Sequence, residues 1–260
     1  MPVQRLAAQV ARKMRRLLLI CGAVALALPG VAGAATVQYS LSDLLPGGTT
    51  AGGFTIGDKR YSNFTFSSSG EAPLDASDVN VRVTSTDNNT AVAGDDQYSL
   101  QFTFGLDAFP GETNDLVIGY QVDVTDPSMF INRVGLRFNG SVPSQGPGDA
   151  AATVIETVRS PDQNFDLVPG GDPNADDRYI ALLDVYNDGP GRLGDDNSDF
   201  IAVNPTRTLI FEKDILVSSQ PDGGYAAISV VDNIVNQVPE PGIFGLAVFA
   251  GGGLLLRRRR

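Results

Sequence analysis

Two acidic stretches carry the residue types most able to do chemistry in this chain. "GGDPNADDRY" places Asp172, Asn174 and Asp176 at alternate positions, and "GDDNSDF" does the same with Asp195, Asn197 and Asp199. Alternate oxygen side chains on a turning backbone can converge on calcium, which takes several carboxylates and carbonyls. Neither stretch has Gly at its sixth position, and Leu183 and Thr206 stand at the twelfth, so neither is an EF-hand loop. The same residues serve equally well as solvated turns, where Asp and Asn are favoured for their own backbone hydrogen bonds.

Other chemistries lack parts. The chain has no His, no Trp and one Cys, Cys21. Imidazole-based Ser and Cys nucleophile systems are therefore excluded, zinc sites are poorly served, and no disulfide can form within the chain. A glycoside hydrolase needs only two carboxylates about 5–9.5 Å apart, and the acid-rich body supplies many. A carbohydrate-binding module needs exposed aromatic platforms instead, such as a loop holding Tyr225. Tyr61, Tyr98 and Tyr120 sit in strand patterns and are expected to pack.

The elements that would position these residues are strands. Tyr98, Leu100, Phe102 and Phe104 alternate with Ser99, Gln101 and Thr103, and Val79, Val81 and Val83 alternate with Asn80 and Arg82. Ile118, Tyr120, Val122 and Val124 repeat the pattern, as do Val134, Leu136 and Phe138. Period two puts apolar side chains on one face of a half-buried strand. Further strands are expected near 36–41, 60–67, 152–158, 179–186, 207–217 and 226–235. Gly, Pro, Asn and Asp clusters such as "STDNNTAVAGDD" and "NDGPGRLGDDNSD" separate them. No part of the body holds a helical period. About ten antiparallel strands predict an all-β, two-layer β-sandwich of jelly-roll type.

Charge is distributed unevenly. Arg5, Arg12, Lys13, Arg15 and Arg16 precede residue 35, four arginines close the chain, and Glu240 is the only acid outside the middle. Residues 35–238 thus hold 10 basic and 29 acidic side chains, a net charge of −19. Such a body repels nucleic acid and anionic membrane.

The ends read as sorting elements. Lys13, Arg15 and Arg16, the apolar run "LLLICGAVALAL" and the small residues Ala32, Gly33 and Ala34 form an export signal with cleavage by signal peptidase expected after Ala34. Translation from Met14 rather than Met1 would give that signal an ordinary length. At the other end, Pro239-Glu240-Pro241 keeps the backbone extended. The uncharged run Gly242–Leu256 follows; as a helix it would reach ~22 Å, short against a hydrocarbon core of ~30 Å. Arg257, Arg258, Arg259 and Arg260 would hold that end on the cytoplasmic side.

"VPEPGIFGLAVFAGGGLLLRRRR" resembles the PEP-CTERM sorting signal of bacterial surface proteins. "GDKRYSNFTFSSSG" and "AAISVVDNIVNQVPEP" are also similar to stretches common in that group. The resemblance implies recognition by an exosortase, transient inner-membrane insertion, removal of the tail near Pro239 to Pro241, and delivery to the cell surface or extracellular space, often alongside exopolysaccharide.

The resulting organisation is a signal peptide at 1–34, a β-sandwich at 35–237 with its hinge at Asn236 and Gln237, and a sorting signal with a short membrane helix at 238–260. The expected role is non-catalytic: structure or binding in an exopolysaccharide or biofilm matrix, with polysaccharide or other envelope material as partner. The carbohydrate-binding module is the alternative, and a carboxylate-dependent glycosidase the more distant one.

Overall fold

The computed structural model describes residues 35–86, 97–144, 148–161, 179–189 and 196–239. In chain order these form β1 (Ala35–Ser40), one helical turn α1 (Leu41–Leu44), β2 (Phe54–Ile56), β3 (Lys59–Gly70), β4 (Asn80–Thr86), β5 (Gln97–Ala108) and β6 (Thr113–Val124). They continue with β7 (Met129–Phe138), β8 (Ser141–Ser144), β9 (Ala150–Arg159), β10 (Tyr179–Asn187), β11 (Ser198–Thr206), β12 (Thr208–Ser219) and β13 (Tyr225–Pro239). Each of the ten expected strands has its counterpart; β2, β8 and β11 are additional. No helix among the described residues is long and apolar enough to cross a membrane, and the predicted sorting helix lies outside them.

The alternation of apolar and polar residues decides which face is buried. On β12, Leu209, Phe211, Ile215 and Val217 are fully buried while Ile210 and Leu216 remain partly exposed, and the same rhythm runs through β5, β6 and β9. Burying one face of each strand requires a second layer, so two sheets stack over one core. The first sheet runs β1-β4-β5-β13-β7-β11, with β8 also against β13, and the second runs β10-β9-β12-β6-β3-β2.

The antiparallel pairs β5/β13, β6/β12, β7/β11 and β9/β10 are nested in the chain. They are the rungs of one long hairpin rolled so that alternate rungs fall in opposite sheets, which makes the sandwich a jelly roll. β1 and β4 extend one sheet beyond β5, and β2 and β3 extend the other beyond β6. Between β2 and β3, Gly57 takes φ 58° at the first position of a two-residue turn, the conformation a type II′ hairpin demands. Tyr39, Phe54, Phe64, Tyr120 and Phe211 contact one another in turn through the interior, and Tyr61 stacks on Phe54, with centroid separations of 4.8–6.1 Å.

Rolling the hairpin gives the sandwich two distinct poles. At one, the β5–β6 and β12–β13 turns meet the segment before β9: Gly111 N donates to Ser219 O at 3.0 Å and Gln220 N to Asp149 O at 2.8 Å. At the other, Val124 N donates to Arg207 O and Thr125 N to Asp58 O, both at 2.8 Å. Ala35 stands opposite Ser85, Ser85 opposite Tyr98 and Tyr98 opposite Val235, while Pro239 pairs with Met129. Residues 35 and 239 therefore both emerge at this second pole.

The hinge expected at Asn236 and Gln237 is instead interior to β13. Asn236 is paired on both sides, with Gln97 and Arg133, and Gln237 is buried. The pairing with β7 continues to Pro239, beyond the start of β5, so the end of β13 is bonded on one side only and accepts proline as an edge strand does.

Candidate functional site

Of the residues singled out in the sequence, Ala34, Asp172, Asn174, Asp176, Asp195, Glu240, Pro241 and Arg257 to Arg260 lie outside the described residues. Pro239 closes β13 at the pole from which residue 35 also emerges. Asn197 precedes β11 and its backbone O accepts from Phe138 N at 3.2 Å, while Asp199 lies within β11. Asp199 stands opposite Leu136, and its Oδ2 accepts from the backbone N of Asp184 at 3.3 Å. No cluster of three or more His, Cys, Asp or Glu suited to a metal occurs among the described residues.

At the pole opposite the chain exits, two aromatic rings meet. Phe109, in the β5–β6 turn, is 55% exposed, and its ring centroid lies 5.4 Å from that of Tyr225 at the start of β13, tilted by 53°. The turn is held by Phe109 N donating to Glu112 Oε2 and Glu112 N donating to Phe109 O, each at 2.9 Å. The Tyr225 hydroxyl donates to Asp107 Oδ2 at 3.4 Å. Partial burial, then the neighbouring Asp107 charge and this hydrogen bond, raise the Tyr225 phenol above its ordinary range. An exposed ring packed on a half-buried one beside a carboxylate offers an apolar surface and a hydrogen-bond acceptor together.

The outward face of the first sheet is polar around one ring. Phe200 on the edge strand β11 lies over Gly135 of β7, with the guanidinium carbons of Arg133 and Arg137 at 4.6 and 5.0 Å from its centroid. Asp232 of β13 pairs in register with Arg137 and with Gln101. Ser99 Oγ donates to Asp232 Oδ1 at 2.5 Å. Burial raises the Asp232 carboxyl, opposed by the Ser99 hydrogen bond and the charges of Arg137 and Lys213.

On the outward face of the other sheet, Asp214 of β12 shares a hydrogen bond with Asp115 of β6. Burial first, then this bond and the charges of Asp115 and Glu212, raise the Asp214 carboxyl. The pair sits on a sheet surface beside the partly exposed Ile155 and Leu216.

The interior holds a polar cluster that the reading by loops missed. Lys213, Glu156 and Asn233 are 0%, 0% and 2% exposed. Lys213 stands directly opposite Glu156, and its Nζ contacts Glu156 Oε2. Asn233, from the other sheet, donates through Nδ2 to Glu156 Oε1 at 2.8 Å, to Oε2 at 3.1 Å and to Gly135 O at 3.0 Å. The Tyr120 hydroxyl donates to Asn233 Oδ1. A second buried cation, Lys59, bonds Asp58 Oδ1 at 2.6 Å and Gln237 Oε1, and lies 4.5 Å from the centre of the Tyr98 ring. The signal was present in the alternation itself: Glu156 falls between Val154 and Val158, Lys213 between Phe211 and Ile215, and Asn233 between Val231 and Val235, all at inward positions.

The fold and these surfaces define an acidic antiparallel jelly-roll protein. No family model matches the chain, and no curated protein matches it. Among solved structures it is similar to TmCBM61 in complex with β-1,4-galactotriose, at 14% identity over 67% of this chain and 88% of that one, with a TM-score of 0.27. It is also similar to the enzymatically active domain of bacteriophage CBA120 tailspike protein 4, at 15% identity over 78% of this chain and 19% of that one, with a TM-score of 0.19. At these scores neither likeness bears on what this chain does.

Proposed function

We propose that this chain is an exported, exosortase-sorted protein of the cell surface or extracellular matrix that binds polysaccharide without catalysis. The observation that carries this reading is the exposed Phe109 ring packed on half-buried Tyr225, with Asp107 beside the pair, at the pole opposite the one from which residues 35 and 239 emerge. Sugar rings pack their C–H faces on aromatic rings, and a carboxylate oriented by a phenol accepts from sugar hydroxyls. A tail held in or released from the envelope at one pole leaves the aromatic pole turned toward the matrix.

Two measurements test the two halves of the reading. Intact mass of the protein recovered from the native cell surface should give a C-terminus near Pro239 to Pro241; an intact Arg260 on membrane-bound protein would make the tail a lasting anchor. Glycan arrays probed with the wild-type chain should show binding that Phe109→Ala and Tyr225→Ala each weaken about tenfold, a loss of ~1.4 kcal/mol. Binding unchanged in both variants, or absent for every glycan, would remove the sugar site.

A further inference from the structure

The interior cluster contains more than a buried ion pair requires. Taking a lysine and a glutamate out of water is costly, and apolar residues of similar size usually serve a core as well or better. Here an asparagine from the opposite sheet and a tyrosine hydroxyl complete the group. Lys213 and Asn233 meet on the same carboxylate oxygen, Glu156 Oε2. The rings of Tyr120 and Phe211 close the site, with their centroids 5.6 and 5.8 Å from Lys213 Nζ.

We propose that Lys213 and Asn233 join in an intramolecular isopeptide bond, a secondary amide between Lys213 Nζ and Asn233 Cγ, made by the protein itself once folded. The roles follow from the contacts. The lysine amine is the nucleophile and the asparagine carboxamide the electrophile. Tyr120 donates to Oδ1, the oxygen on which negative charge develops during attack. Glu156 touches both the incoming nitrogen and the departing one, so a single carboxylate can carry the proton between them.

The step balances without an outside reagent. The lone pair of Nζ attacks Cγ and the Nζ–Cγ bond forms. Glu156 accepts a proton from Nζ and delivers it to Nδ2. The Cγ–Nδ2 bond breaks with its electron pair on nitrogen, and ammonia leaves. The amine must be unprotonated at the start, and burial lowers Lys213 well below the usual lysine range, with the charge of Asp232 acting against it. Holding both reactants on rigid strands of a packed core supplies the proximity that an amide of such low reactivity needs.

The bond would tie β12 of one sheet to β13 of the other, stapling the two layers in a chain whose lone Cys21 rules out an internal disulfide. This inference is independent of the sugar-binding reading, because no atom of the cluster belongs to the Phe109–Tyr225 surface.

The test is peptide mapping of the full chain, purified folded after export. Trypsin should fail to cut after Lys213, leaving residue 208 and Asn233 in one peptide lighter than its sequence by one ammonia. Cleavage at acidic residues, which opens the backbone at Asp222, should then yield a branched pair joined through Lys213 and Asn233. Glu156→Gln, checked for folding by circular dichroism, should show ordinary cleavage and full mass. Folded wild-type protein of full mass that is cut normally at Lys213 would overturn the proposal. So would loss of water with a Lys213–Glu156 branch, or loss of ammonia without any branch.

Discussion

Phe200 lies over Gly135, so close that a Cβ placed on the glycine would stand 2.3 Å from Cδ1 and Cε1 of the ring. The glycine is therefore the seat of the ring, and an aromatic covering a strand glycine from the neighbouring edge strand restores the burial that the glycine cannot provide. The covered backbone matters to the interior as well, since Gly135 O accepts from Asn233 Nδ2 at 3.0 Å.

Gly135→Ala should displace the Phe200 ring and cost about 1–3 kcal/mol, the range for overpacking. In a Phe200→Ala background the same change should cost far less, giving a coupling of about 1 kcal/mol or more in a double-mutant cycle. Urea unfolding of the four proteins provides the numbers. Additive effects would mean that the ring does not rest on the glycine.

Asn63 is the only non-glycine residue with positive φ among the described residues, at φ 55°, and it stands where β3 slips register between Ser62 and Thr65. Its Nδ2 donates to Gln121 Oε1 at 2.9 Å across to β6. Asn tolerates this conformation better than other L residues. Asn63→Gly should change stability by less than ~1 kcal/mol, because released strain offsets the lost hydrogen bond. Asn63→Val should destabilise by ~2 kcal/mol or more. A thermal melt in which the valine variant is the more stable would show that the left-handed bulge is not a feature of the fold in solution.

Asp214 ties stability to pH in a defined direction. Its carboxyl is raised in the folded chain by burial and by Asp115, whereas in the unfolded chain it titrates near its ordinary value of about 3.9. The folded state therefore holds this proton more tightly. The stabilisation is full below the unfolded value and is lost as pH rises through the folded one. Asp214→Asn removes the dependence, so the variant should melt higher than wild type at pH 7, with the difference shrinking or reversing by pH ~4. A variant that melts lower at pH 7 would show that the charged pair is favourable there.

The layers of this fold were legible because β5, β6, β9 and β12 alternate over nine residues or more, and turn residues bound them. The additional strands were hidden for separate reasons. β2 spans three residues, and Ser-Val-Pro-Ser of β8 is largely polar. β11 carries Asp199, Asn204 and Pro205, which read as loop chemistry, yet an edge strand is bonded on one side only and accepts them. Asp199 shows why: spacing alone does not distinguish an alternate ligand on a turn from an alternate side chain on a strand. The interior cluster is hidden for the converse reason: its polar residues stand in apolar surroundings, at positions the alternation assigns to the core. Lys213, Glu156 and Asn233 are informative because they occupy apolar positions.

The last strand sets a boundary for processing. Gln237, Val238 and Pro239 pair in register with Ile131, Phe130 and Met129, and the buried Gln237 oxygen accepts from Lys59 Nζ, itself fully buried. A chain ending at Pro239 keeps every one of these contacts. A chain ending at Asn236 leaves Lys59 with Asp58 and the Tyr98 ring and should lose the worth of a hydrogen bond to a charged group, about 1.5–3 kcal/mol. Thermal melts of the two truncations should differ accordingly, with the longer one matching the full body. Equal stability would mean that the end of β13 is dispensable and that cleavage could fall inside it. The expected difference instead confines tail removal without damage to the sandwich to positions beyond Gln237, which agrees with a cut at the Pro-Glu-Pro step.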